Sequence, residues 1–237
     1  MKAVILAAGK GKRMGEITQT LPKPMIEVQG RPILEHIVAG IRDFAPIRDF
    51  FFITGHRAEV IEKHFGDGSR FNISASYGRQ TTQDGTGKAP ELARDWVGRD
   101  SFLLSYGDSY LASPEEYGHI AALEGFDGAI AVKGGMELKH GGAVIFDEDF
   151  LLKAIVEKAA SGTVQTPWFN AGIYLFKPAL FDFTSRLQLS PRGEYELTEA
   201  INAMAASGLR IKGRELHGRW EDVRDPEVLA RLNHPAQ

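Results

Sequence analysis

Lys2-Ala3-Val4-Ile5-Leu6-Ala7-Ala8-Gly9-Lys10-Gly11-Lys12-Arg13-Met14 sets a short apolar run directly against a loop of glycines and cations. Consecutive apolar residues over strand length are what a strand buried on both faces of a parallel sheet requires. Glycines at 9 and 11 let the backbone approach a ligand with no Cβ in the way. Lys10, Lys12 and Arg13, joined by Lys23 from Leu21-Pro22-Lys23-Pro24, surround the turn with positive charge. Backbone N–H groups and cations at the carboxyl end of a strand suit a triphosphate. The loop has no Gly-Lys-Ser/Thr closure and no G-x-G-x-x-G spacing, so it is neither a P-loop nor a dinucleotide fingerprint. By itself it serves equally as a tight turn with solvated lysines. The prolines on either side of Lys23 remove backbone freedom around it, so its ammonium can be aimed.

Outward from this loop, the first half alternates. Strand-like stretches at 3–6, 49–54, 72–77 and 101–106 are interleaved with helix-like ones at 32–42, 58–65 and 89–96. In the first of these helices Ile33, Leu34, Ile37, Val38 and Ile41 recur at helical spacing. This rhythm predicts an α/β fold with a doubly wound, mostly parallel sheet and right-handed crossovers. Ligands of such sheets bind outside the carboxyl ends of the strands, where 6–14 and 107–109 both fall. The second half is richer in strands: 128–133, a strand and turn in 141–149 pairing with 154–158, and 169–176, before a helix over 195–206. It predicts a smaller β-rich lobe. With no linker, low-complexity segment or internal repeat, the expectation is one domain over 1–237, with lobes of about 1–125 and about 126–237.

Composition narrows the function. The 237 residues are 43% hydrophobic and 25% charged, with a net charge of −3. These are ordinary values for a soluble globular chain and offer no broad basic face to nucleic acid. No apolar run is long enough to span a membrane, and the glycine-broken, basic start is the reverse of a secretory signal. Zero cysteines exclude disulfides, thiolate catalysis and Cys-ligated metal centres. A cytoplasmic location is the expectation.

The glycine loop and the Pro-Lys-Pro element together resemble the signature of the sugar nucleotidylyltransferases, and motifs similar to theirs recur along nearly the whole chain. The resemblance implies a Rossmann-like nucleotide-diphospho-sugar transferase fold, a nucleoside triphosphate and a sugar 1-phosphate as substrates, and Mg²⁺ as cofactor. It implies nucleotide-sugar synthesis of the kind that supplies cell-wall or polysaccharide precursors. In the loop it points to Leu6, Ala8, Gly9, Gly11 and Lys12 as nucleotide-binding, with Arg13 and Lys23 on the triphosphate. Ser105-Tyr106-Gly107-Asp108 resembles the family's strand-end Gly-Asp element, which makes Asp108 a metal ligand. Arg219-Trp220-Glu221-Asp222-Val223 resembles Trp-x-Asp-Val and makes Asp222 the second, in preference to Glu221.

Gln80-Thr81-Thr82-Gln83-Asp84-Gly85-Thr86-Gly87 is similar to the base-binding segment of N-acetylglucosamine-1-phosphate uridylyltransferases. Gln80, Gln83, Gly85 and Thr86 are the expected contacts. Glutamine can accept from and donate to the uracil edge, and Thr86 is expected to cap the helix that follows Gly87. Outside this setting the segment reads as a polar loop with a helix cap. Val156-Glu157-Lys158 resembles Val-Glu-Lys-Pro, with Ala159 in the place of proline; Glu157 falls to the sugar and Lys158 to its phosphate. Phe169-Asn170-Ala171-Gly172, Gly142 and Glu194 complete the implied sugar site. His36, His56, His64 and His140 form no ligand spacing and read as surface or packing residues. There are no hexapeptide repeats, so the β-helix acetyltransferase domain of some members is not expected. The residues leave open dTTP, GTP or CTP as donor, phosphocholine as acceptor, and a non-catalytic sensor on the same scaffold.

Overall fold

The computed structural model describes residues 1–160 and 162–234. In chain order its strands are β1 (Lys2–Ala7), β2 (Glu27–Val28), β3 (Arg31–Pro32), β4 (Asp49–Thr54), β5 (Ser74–Arg79), β6 (Phe102–Tyr106) and β7 (Ser109–Leu111). There follow β8 (Gly128–Gly134), β9 (Gly142–Phe146), β10 (Leu152–Glu157), β11 (Trp168–Phe176), β12 (Ile211–Glu215) and β13 (Trp220–Asp222). Nine of them form one sheet in the order β10-β9-β11-β6-β1-β4-β5, with β8 paired to β11 and β12. β6, β1, β4 and β5 run parallel, and so do β8 and β12; β11 joins its neighbours antiparallel.

β1 lies in the middle because its residues satisfy two layers. Ala3, Ile5 and Ala7 enter one apolar cluster with Ile33, Leu34, Ile37, Val38 and Ile41 of the helix Ile33–Phe44. Val4 enters the other, with Ala93, Val97, Leu180, Leu197 and Met204. Each large side chain buried this way contributes about 1.5–3 kcal/mol. The order of β6-β1-β4-β5 reverses at β1: the chain first winds to one side through β4 and β5, then returns to the other through β6. The crevice at such a switch point is where open α/β sheets hold ligands. It is bridged by Gly107 N–H donating to the Leu6 carbonyl at 2.9 Å.

Several boundaries differ from the sequence reading. The strand expected at 72–77 runs Ser74–Arg79, and the helix expected at 195–206 begins at Leu197. The helix expected at 89–96 is a 3-10 turn over Ala89–Ala93, with Pro90 in its first turn, followed by α-helix over Arg94–Val97. Unforeseen altogether is the ribbon of β7 with β13, in which Asp222 lies opposite Ser109 and Val223 N–H donates to the Asp108 carbonyl at 3.1 Å. Among the described residues no helix is long and apolar enough to cross a membrane.

Candidate active site

The ends of β1 and β6, the loop after β5, and the starts or ends of β9, β10, β11 and β13 surround one cleft of about 630 Å³. Every site residue expected from the sequence lines it.

On the β1 side the loop leaves its polar groups open. Among the described residues none offers an acceptor to the backbone N–H of Gly9, Lys10 or Gly11, and Lys10, Lys12 and Arg13 form no ion pair. Gly11 has φ 59°, and a Cβ there would stand 3.0 Å from the Lys23 Cβ, so only glycine lets the loop pack on that lysine stem. Lys23, by contrast, is buried and doubly paired: its Nζ lies 2.5 Å from Asp108 Oδ2 and 3.2 Å from Asp222 Oδ1. Burial pulls its pKa down, but the charges of Asp108 and then Asp222 outweigh that and the net shift is upward. Asp222 is itself pushed up, first by burial and then by the Asp108 charge, with Lys23 opposing. The β7–β13 ribbon is what brings the two carboxylates together.

Two carboxylates converging on one ammonium, with the ionised form of Asp222 disfavoured by burial and by the Asp108 charge, are a fit for a divalent cation. Among the described residues no group of three or more His, Cys, Asp or Glu side chains is placed to hold a metal ion. A hard cation that takes few protein carboxylates and completes its shell with phosphate oxygens and water matches this pair.

In the loop after β5, the Gln80 Nε2 donates to the Gly85 carbonyl at 3.0 Å and to Asp84 Oδ1 at 3.3 Å. Both its amide protons are therefore engaged, and its Oε1 remains without a donor among the described residues. The Gln83 Nε2 donates to the Ala8 carbonyl at 2.9 Å. The sequence reading gave Gln80 both donating and accepting duties toward a base; only acceptance is left to it. Thr86 also departs from expectation. It does not cap the turn after Gly87, whose start carries no side-chain cap; its Oγ1 accepts from Leu197 N at 3.3 Å, at the start of the helix Leu197–Ala206. The same segments are joined by Tyr195 N to the Asp84 carbonyl at 2.7 Å and Gly87 N to the Tyr195 carbonyl at 2.8 Å. Gly85, φ 117°, admits this seam, since a Cβ would run into the Tyr195 backbone.

The opposite wall is built by antiparallel pairing. Gly142 sits across from Glu157, and a Cβ on it would meet Asn170 Cβ and Glu157 Oε1, both at 3.3 Å. Burial raises the Glu157 pKa; Glu196 adds to the rise, while Arg192 and Lys158 oppose it. Lys158 adopts φ 48°, a left-handed angle that costs about 1 kcal/mol outside glycine. Its N–H donates to the Gly141 carbonyl at 2.8 Å, which fixes the backbone without proline at 159. Asn170 is 8% exposed. Its Nδ2 donates to the Tyr174 hydroxyl at 2.7 Å and its Oδ1 accepts from Gly172 N at 3.1 Å, across the bulge in β11. One N–H and one lone pair are left to face a ligand. Glu194 stands exposed at the mouth, near Arg192, which donates to Glu196 Oε1 at 2.6 and 3.0 Å.

Tyr106, Arg192, Glu196 and Trp220 lie inside the motifs singled out in the sequence, the segment 192–198 being the one that resembles the family's sugar-site border, but were not themselves named as site residues; His140, read as surface or packing, lies on the rim beside Glu137.

Comparisons with known proteins identify the family and the fold. The model of the nucleotidyl transferase family matches residues 2–235. The bifunctional protein GlmU of Methanococcus maripaludis is 32% identical over 235 residues, which are 99% of this chain and 54% of that protein. The low-salt glycan biosynthesis nucleotidyltransferase Agl11 of Haloferax volcanii is 31% identical, over 98% of this chain and 65% of the relative. The chain thus spans between about half and two thirds of the length of the curated relatives it matches. Among solved structures, a putative glucose-1-phosphate thymidylyltransferase from Bacillus anthracis superposes with TM-score 0.88 at 26% identity, covering 98% of this chain and 94% of that one. A UDP-glucose pyrophosphorylase bound to UDP-glucose shares the fold, with TM-score 0.88 at 21% identity over 98% and 97% of the two chains. From its loop of free cations to its ribbon-joined carboxylates, the chain belongs to the nucleotidyl transferase family.

Proposed function

We propose that this chain joins a nucleoside triphosphate, with UTP favoured, to a sugar 1-phosphate and releases pyrophosphate. The observation that carries the reading is the meeting of three things in one cleft: the open cationic loop, the Asp108–Lys23–Asp222 cluster, and a wall of groups suited to hydroxyls.

An oxygen of the acceptor phosphate attacks the α-phosphorus of the triphosphate. The bond from that phosphorus to the β-bridging oxygen breaks, and its electron pair leaves on pyrophosphate. The nucleophile is already an anion, so no general base is required. Arg13 and Lys23 neutralise the triphosphate and the charge growing on the leaving group, and Lys158 holds the acceptor phosphate in line. Leu6, Ala8, Gly9, Gly11 and Lys12 form the loop that receives the donor. Asp108 and Asp222 would hold Mg²⁺, which when bound supplies further neutralisation of phosphate oxygens. Glu157, Asn170, Gly142 and Glu194 face the sugar.

The donor preference is supported by Gln80. With both amide protons engaged, its oxygen is left to accept from a ring N–H, which uracil has at N3 and cytosine lacks. Gln83, Gly85 and Thr86 shape the rest of that pocket. Thymine carries the same N–H, and a glucose-1-phosphate thymidylyltransferase of Streptomyces griseus is 28% identical over 98% of this chain and 65% of its own length, which favours dTTP as the second donor.

The test is pyrophosphate release with Mg²⁺, crossing the common nucleoside triphosphates with sugar 1-phosphates and phosphocholine. Release with UTP and one sugar 1-phosphate is the expected result. Release with CTP alone would overturn the reading of Gln80, and silence across the grid with nucleotide still bound would overturn the reaction.

A further inference from the structure

Lys23 occupies a place that contact with a triphosphate does not explain. Its side chain is 8% exposed, and the ammonium bridges Asp108 and Asp222. Among the described residues no other cation pairs with either carboxylate, while Lys10, Lys12 and Arg13 on the same cleft remain unpaired. A divalent cation held by Asp108 and Asp222 would compete with Lys23 for the negative charge of both carboxylates, of each of which Lys23 contacts one oxygen.

We propose that Lys23 is the resident counter-ion of the Asp108–Asp222 pair, and that the divalent cation enters only as a cation–triphosphate complex whose phosphates draw Lys23 off the carboxylates. This rests on the reaction proposed above and names its substrate species: the complex, not the separate ions.

Charge and anchoring both support the exchange. Lys23 lies between Pro22 and Pro24 at the start of a 3-10 turn, so its backbone is fixed while the four-carbon stem can swing. A free divalent ion arriving alone would leave the ammonium beside a dication, with no new partner. Arriving with phosphates, it brings anionic oxygens for that ammonium to meet. The glycine loop that would receive those phosphates packs on the Lys23 stem at Gly11, so loop and lysine respond together. Cation and triphosphate affinity are then linked, each raising the other.

The experiment titrates the substrate-free full chain with Mn²⁺, followed by electron paramagnetic resonance. Wild type is expected to bind Mn²⁺ weakly, Lys23→Met about tenfold or more tightly, and Lys23→Arg as weakly as wild type. Binding by Lys23→Met no tighter than wild type would overturn the proposal. Should that variant not fold, wild type decides: Mn²⁺ alone is expected to leave its Tm unchanged, and a clear rise would overturn the proposal. Pyrophosphate release tests the reaction separately. An active wild type without the Mn²⁺ difference sinks the counter-ion role alone, and an inactive one with the difference sinks the reaction alone.

Discussion

On the donor side of the cleft, Asp108 and the loop Gly9–Arg13 hang from parallel strands in the middle of the sheet. On the acceptor side, Gly142, Glu157 and Asn170 sit on the antiparallel strands β9, β10 and β11. Among the described residues the Gly9–Arg13 loop of the donor wall keeps unpaired N–H groups and unpaired cations, available to phosphate, while Lys23 is paired with Asp108 and Asp222. The acceptor wall engages its polar groups with one another: Asn170 with Tyr174 and Gly172, Arg192 with Glu196. The Gly9–Arg13 loop holds its cations without side-chain partners among the described residues, whereas on the acceptor wall preorganisation comes from the side chains themselves, so changes there disturb stability and acceptor affinity before chemistry.

The sharpest way to break this contrast is Asp108→Asn. Turnover is expected to fall about 10²–10³-fold, read by steady-state pyrophosphate release, and near-normal turnover would remove the donor wall's chemical role. Asn170→Ala comes next. It strips partners from the Gly172 N–H and the Tyr174 hydroxyl, and is expected to cost about 1–3 kcal/mol of stability. Denaturant unfolding reads that loss, together with a raised KM for the sugar phosphate and an unchanged KM for the triphosphate. An equal rise in both would erase the distinction between the walls.

The smallest effect is expected of Glu157→Gln. Burial raises the folded-state pKa of Glu157 above the unfolded value of about 4.3. The protonated acid therefore favours the fold, and that stability is lost as pH rises from the unfolded value through the folded one. Glutamine carries no charge to desolvate, so the variant should melt above wild type at pH 7, and the gap should close as the pH falls below about 4. A gap independent of pH would contradict the buried-charge account.

What was legible in the sequence was what is local. β1 with its glycine loop, Lys23 between prolines, and Asp108 directly after an apolar strand each announce themselves within a few residues. The helix Ile33–Phe44 was legible because its apolar spacing matches the face it buries. The β7–β13 ribbon was not, since it joins short segments far apart in the chain and only tertiary pairing selects them. The same holds for Thr86, whose hydroxyl finds a helix start a hundred or so residues on instead of the adjacent one. Gln80 was identified as a residue, but its remaining hydrogen-bond capacity depends on where the Gly85 carbonyl and Asp84 fall in space.

The seam from Asp84–Gly87 to Tyr195–Leu197 bears on how such enzymes can be recombined. The loop proposed to meet the base and the loop proposed to meet the sugar share three hydrogen bonds across a glycine that admits no side chain. A chimera that imports a relative's 80–87 segment alone would meet a mismatched partner at 195–197 and lose the helix start along with the base pocket. On the proposed reading, the donor pocket and the acceptor loop would have to be exchanged together as one cassette.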